Sequence, residues 1–343
     1  MALRTRGMLL RRLAARLPLT VTRSIRVFAW ISVAVQLINV LSGAAVRLTG
    51  SGLGCPSFPE CTPGSLVVTP EMGIHGLIEF GNRMVAVVLT LVCIITFVLV
   101  VRLRRSRPEL FWLAFAIGLG IPAEAVIGGM SVLTGLNPYV VGLHFVVSVV
   151  LIALSTALLY RAYDTAGPYR VFAHPALWRV AIATAVAATL TIVLGIVTTG
   201  AGPHAGDATA PRNGLDPAIL EHLHSYPAYA MLALTLVVLY LAWARDAAAT
   251  FTYAVLLLGI ELVQILVGIV QVRLALPAIL VGVHMILACL LAIVVTALVL
   301  SLTRSTVLTE SPVLTEGAVP TGRARAQNGS SGSIPTATKS TVK

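Results

Sequence analysis

The sequence predicts an all-α integral membrane protein with eight transmembrane helices, arranged as two pseudo-symmetric four-helix bundles. Three observations lead there: a shortage of charge, eight long apolar runs, and a likeness between the two halves of the chain. Of the 343 residues, 57% are hydrophobic and 11% charged, with a mean hydropathy of +0.94. A soluble domain is about 25% charged and uses those side chains to cover its surface. The net charge of +11 is no sign of nucleic-acid binding, because the basic residues sit in the N-terminal arm and in short loops, with no exposed aromatics between them.

The apolar runs lie near 27–46, 74–101, 110–133, 140–160, 178–199, 219–243, 251–272 and 278–301. Each approaches or exceeds the ~20 residues that cross a bilayer as a helix. They are continuously apolar rather than alternating, which excludes a strand barrel. Ala44 and Ala45 lie at the end of the first run, as a signal cleavage site would, but that run is longer than a typical signal core and is read as a span. Arginines set the orientation. Arg4, Arg6, Arg11, Arg12, Arg16, Arg23 and Arg26 precede the first run, Arg102, Arg104, Arg105 and Arg107 follow the second, Arg161, Arg170 and Arg179 flank the fourth-to-fifth connection, and Arg245 follows the sixth run. The positive-inside rule then puts both termini in the cytoplasm and turns loops 48–73, 134–139, 200–218 and 273–277 outward. The expected divisions are a basic cytoplasmic arm at 1–26, an N-terminal bundle at 27–162, a cytoplasmic linker at 163–176, a C-terminal bundle at 177–303 and a cytoplasmic tail at 304–343. That tail is rich in Ser, Thr, Gly and Pro and is expected to be disordered.

The halves repeat each other. The first run ends GAAVRLTGSG and the fifth GIVTTGAG; the second carries IEFGNR and the sixth LEHLHS. Runs three and four contain EAVIGG and GLHF, and runs seven and eight contain ELVQILVG and GVHM. Gly128 to His144 and Gly268 to His284 are both 16 residues, and the half-to-half offsets are 142 from Glu79 to Glu221 and 140 from His144 to His284. Four crossings per half make this a parallel repeat about an axis along the membrane normal. Glu124 and Glu261 read as a further duplicated pair, structural or proton-handling.

Ionisable residues at membrane depth are costly and mark candidate sites. His75, Glu79 and Asn82 share a face of the second run, with Arg83 one turn beyond Glu79 as a possible ion-pair partner. His144 opens the fourth run and His284 the eighth. Two histidines from different helices are how a bundle holds a haem iron from both sides, and His224 with His284 is the best pair. His222 cannot point the same way as His224. It reads as a loop-side polar contact, with ligation as the alternative. Zinc fits poorly, since there is no HExxH and no four-ligand cysteine cluster. Cys55 and Cys61, in the first outer loop, suit a disulfide or a redox-active pair. Cys93 and Cys289 read as small hydrophobes, and His174, His204, Asp207, Arg212 and Asp216 as solvated loop residues. The absence of CxxCH argues against covalent haem.

Taken together, GSGLGC with PSFPEC, IEFGNR, GLHF, His224 and LALPAILVGVH resemble the haem A synthase family (CtaA/Cox15 membrane proteins), in a bacterial form, over roughly residues 25–300. The resemblance implies an enzyme that oxidises the C8 methyl of haem O to the formyl group of haem A through successive hydroxylations, for delivery to terminal oxidases. It implies a non-covalent haem b held by His224 and His284 in the second half. In the first half it implies substrate haem near Glu79 and His144, with Glu79 as the catalytic candidate, and a disulfide between Cys55 and Cys61. Arg83 would balance Glu79 or meet a propionate. One position departs: Asn82 stands where the family motif has a histidine. His75, about 10 Å along the helix axis from Asn82, could substitute, or His144 could act alone with one iron face open. The implied partners are haem O, an electron donor, haem O synthase and terminal oxidase assembly factors, in the lipid bilayer of the cell membrane. The alternatives are a di-haem b cytochrome in quinol-linked electron transfer and a polytopic transporter. A prenyltransferase is discounted because Asp164, Asp207, Asp216 and Asp246 are scattered outside the apolar runs.

Overall fold

The computed structural model describes residues 17–165, 167 and 169–305. Most of the predicted N-terminal arm and almost all of the predicted tail lie outside the described residues. Among the described residues the chain runs through eight long helices: α1 (Arg23–Leu48), α2 (Gly73–Val100), α3 (Pro108–Leu133), α4 (Pro138–Tyr163), α5 (Pro175–Ala201), α6 (Pro217–Trp243), α7 (Ala248–Arg273) and α8 (Ala278–Ser301). All are long and apolar enough to cross a membrane.

Helices α3 to α6 start two or three residues before their apolar runs, because their first turns are built on prolines and caps. Pro108, Pro138, Pro175 and Pro217 open α3 to α6, where the missing N–H costs no hydrogen bond. The side chains of Asn137, His174 and Asp216 accept backbone N–H bonds from Tyr139, Ala176, and Ala218 with Ile219. His174 and Asp216 are therefore helix caps.

The turns from α3 to α4 and from α7 to α8 have the same backbone. Gly135 and Leu136 both have φ 61°, and Ala275 and Leu276 have φ 58° and 61°. The Leu136 N–H donates to the Ser131 carbonyl and the Leu276 N–H to that of Gln271, each at 2.7 Å. Three of these four residues carry a side chain in the left-handed region, at roughly 1–2 kcal/mol each. The turns recur at the 140-residue offset that joins His144 to His284.

In the first half α1 packs on α2 and α4, and α3 packs on the same two helices; in the second half α5 and α7 each pack on α6 and α8. Leu89, Leu110, Ile117, Leu151 and Leu158 belong to one buried cluster, and Leu177, Met231, Val238, Leu257 and Leu298 to another. Helix α4 meets α5 and α8, and α1 meets α8, around Val40, Ile152 and the free Cys289. Leu91, Leu119, Leu190 and Leu266 are exposed, as lipid-facing side chains are, and Tyr226, Tyr229, Tyr240 and Trp243 are exposed along α6.

At the face opposite the disulfide, the predicted linker contains a strand. β1 (Tyr169–Val171) pairs antiparallel with β2 (Thr303–Ser305), so the boundary expected at 304 falls inside a strand. Buried Arg161, at the end of α4, donates to Asp164 at 3.0 Å and to the Thr303 hydroxyl at 2.7 Å. Its guanidinium lies 3.6 Å from the centre of the Tyr169 ring. Arg161→Ala removes all three contacts and should lower stability by roughly 1–3 kcal/mol, measured as a fall in the thermal unfolding midpoint in detergent.

Candidate functional site

A recurring contact between successive helices builds the site. On α6, His224 lies against α5 at Gly195, where an added Cβ would stand 2.9 Å from the imidazole Cε1. One turn earlier on α5, the Thr191 carbonyl accepts a hydrogen bond from His224 Nδ1 at 2.9 Å. A carbonyl can only accept, so Nδ1 carries the proton and the Nε2 lone pair is free. On α8, His284 lies against Gly268 of α7, whose Cβ would stand 3.5 Å from Cε1. The His224 and His284 ring centres are 6.2 Å apart at 69°. Two imidazoles on one metal, with bonds of about 2 Å each, put their ring centres roughly 6 Å apart. The separation therefore fits an iron held from both sides. His222 is exposed and its Nδ1 donates to the Ala218 carbonyl of its own helix, so it is His224 that meets His284.

The first half repeats the contact with different partners. His144 of α4 lies against Gly128 of α3, where a Cβ would stand 3.0 Å from Cε1. One turn earlier, Glu124 Oε1 is 3.3 Å from His144 Nδ1 and also accepts a hydrogen bond from Ser148 Oγ. On α2, Asn82 takes the place of an imidazole. Its Oδ1 accepts from Ser42 Oγ at 2.7 Å, and a Cβ on Gly43 would lie 3.9 Å from that oxygen. Asn82 and His224 differ by 142, the offset of Glu79 and Glu221.

Glu79 and Arg83 form an ion pair, at 2.7 Å, and both also hold the loop between α1 and α2. Buried Glu79 accepts the Cys55 backbone N–H at 2.6 Å. Arg83 donates to the carbonyls of Cys55, Ser57, Pro59 and Glu60 at 3.0 to 3.3 Å. Cys55 and Cys61 are disulfide-bonded, and between them Phe58 packs its ring on the bare backbone of Gly129, beside Gly128. The loop thus spans from Glu79 on α2 to the helix that lies against His144.

His75 belongs elsewhere. It is exposed and hydrogen-bonds Ser51 Oγ through Nδ1 at 2.8 Å, beside an open cleft of about 520 Å³ lined by Thr49, Met72, His75 and Asp207. The Thr209 hydroxyl and backbone N–H hold the Asp207 carboxyl below the usual carboxylate range. Among the described residues no hydrogen bond or ion pair joins His75 to Glu79, Asn82 or His144.

Two readings change. The pairing of Glu124 with Glu261 is out of register, because Gln264 stands 140 residues after Glu124, one turn before Gly268 as Glu124 is before Gly128. Glu261 instead accepts from Thr235 Oγ1 at 2.7 Å, between α7 and α6. The loop between α5 and α6 is tied down rather than merely solvated. His204 Nε2 bonds the Leu276 carbonyl at 2.8 Å, and Arg212 donates to the carbonyls of Pro203 and Ala210. Sequence reasoning missed Ser42, Ser148, Thr191 and Phe58; the available signal was a hydroxyl one turn from a site residue, as Ser148 is from His144.

Residues 26–296 match the COX15-CtaA family, described as cytochrome oxidase assembly protein. Over 141 residues the chain is 36% identical to a "Heme A synthase" of Lysinibacillus sphaericus (strain C3-41), covering 39% of this chain and 44% of that protein. A protein of the same name in Listeria welshimeri is 29% identical over 141 residues, or 41% and 46% of the two chains. One in Symbiobacterium thermophilum is 31% identical over 154 residues, or 45% and 49%. The aligned part spans about half the length of these curated relatives. The family match covers most of the chain and reaches into each of the eight helices that, among the described residues, could span a membrane, and the chain belongs to the COX15-CtaA family of cytochrome oxidase assembly proteins.

Proposed function

We propose that the chain is a haem A synthase that oxidises the C8 methyl of haem O to a formyl group through successive hydroxylations. The observation that carries this is the facing of His224 and His284 at iron-bridging separation, in a chain whose relatives bear that name. His224 and His284 would hold haem b, which when bound supplies one-electron transfer that amino-acid side chains lack. Thr191 orients the first imidazole, and the bare Gly195 and Gly268 leave room for both rings against the neighbouring helices.

Haem O would bind in the first half on His144. Asn82 stands where the second half has its other imidazole, and His75 is turned into Ser51, which favours His144 alone with one iron face open to the reaction. Glu79 is the catalytic candidate. Clamped between the Cys55 N–H and Arg83, its carboxylate is oriented to hold or pass a proton as the methyl is oxidised. The many carbonyls that Arg83 bonds favour loop anchoring over propionate binding. A di-haem cytochrome would want two imidazoles in each half, and Asn82 stands against that. The shared pattern of helix neighbours in the two halves supports two four-helix bundles. The arginine distribution supports both termini in the cytoplasm and the disulfide loop on the outer face of the cell membrane.

His284→Ala should abolish haem b binding, read as loss of haem B from extracts of detergent-purified protein; full retention would refute the ligand assignment. Glu79→Gln should keep that haem and yield no haem A when haem O is supplied, while an unchanged yield would rule out a catalytic carboxylate. Gly195→Ala puts a methyl against the His224 ring and should lower haem b occupancy without loss of the folded helices, followed by absorbance and circular dichroism.

A further inference from the structure

The two halves present their α4 and α8 histidines on the same scaffold but with a different group behind each. Glu124 and Gln264 occupy equivalent places, one turn before the glycine that receives the ring. In the first half, the Glu124 carboxylate is 3.3 Å from His144 Nδ1, close enough for an ion pair but without a hydrogen bond, and that nitrogen is buried while about a third of the side chain stays open. The accessible nitrogen is then Nε2. Glu124 is itself buried, and its Oε2 has no hydrogen-bond partner. In the second half, the Gln264 amide donates to the His284 backbone carbonyl at 3.1 Å, and His284 Nδ1, like His144 Nδ1 without a hydrogen bond, has no carboxylate in ion-pair reach among the described residues. No carboxylate forms an ion pair with either His224 or His284 among the described residues.

We propose that Glu124 is a positioning residue that accepts the Nδ1–H of His144, aims Nε2 at the iron of the substrate haem and makes that imidazole the more basic ligand, while Gln264 withholds this from His284. A carboxylate behind an imidazole fixes its tautomer and strengthens it as a donor, and hydrogen bonding to an axial ligand is one lever on haem potential. The first half thus holds the more electron-rich iron, suited to oxygen chemistry, and the second the less electron-rich iron, suited to passing electrons. This rests on the assignment of His144 as the ligand of substrate haem.

The test is an anaerobic titration of haem O into the full-length protein carrying its haem b, followed by spectroelectrochemistry of both centres. Glu124→Gln keeps the shape and the Ser148 contact but weakens the acceptor. It should lower haem O affinity about 10- to 100-fold and move the potential of that centre upward, with the other centre unchanged. Ser148→Ala, which removes the hydroxyl and leaves the carboxylate, should leave the potential of the haem O centre near that of wild type. An unmoved potential in Glu124→Gln, or the full shift reproduced by Ser148→Ala, overturns the proposal and leaves the synthase reading standing. Haem O binding unaffected by His144→Ala would instead refute the ligand assignment, and the proposal with it.

Discussion

Inside a bilayer a polar group has no water to fall back on, and each must find its partner within the protein. For the backbone this leaves the helix, eight times over. For side chains it favours polar groups on one helix that are answered from the next. Ser32 hydrogen-bonds Thr96, Ser42 answers Asn82, Ser148 answers Glu124, Thr235 answers Glu261 and Thr250 pairs with Ser301. The imidazoles obey the same rule with an added geometric demand, since a ring must lie close to a backbone if its far nitrogen is to stay free. Glycine on the opposing helix meets that demand at Gly128, Gly195 and Gly268.

A repeated scaffold with altered side chains gives the halves different capacities. Where α6 presents His224, α2 presents Asn82, and where α7 presents Gln264, α3 presents Glu124. The backbone is kept even where it is strained, since Leu136 and Leu276 share the same left-handed turn. The loop between α1 and α2 has no such counterpart. Its disulfide, its carbonyls on Arg83 and its Phe58 on Gly129 bring a buried carboxylate and the first-half helices into one unit.

The helices were legible because length and hydropathy are local properties, and α8 runs from 278 to 301 as its apolar stretch does. Helix starts were not, because Pro138, Pro175 and Pro217 interrupt an apolar count yet begin a helix well. The meeting of His224 with His284 could be anticipated from spacing and from the cost of an imidazole in lipid. The fate of His75 could not, since it depends on Ser51, a loop residue 24 positions away. Glu124 was visible as a buried carboxylate, but its match to Gln264 was hidden by the nearer likeness of two glutamates. Counting from the glycines rather than from the carboxylates recovers it. The role of Arg83 as a loop anchor was invisible for the same reason as that of Ser51, because backbone carbonyls leave no mark in a sequence.

The exposed aromatics of α6 act as a depth gauge. Tyr226 and Trp243 lie 17 residues apart, roughly 25 Å along a helix, close to the thickness of the hydrocarbon layer, and rings of this kind settle at its two boundaries. His224 comes two residues before Tyr226, so the imidazole pair stands at one boundary rather than in the middle. A flat amphiphile bound at that depth would keep its carboxylates among the headgroups and its apolar tail along the lipid.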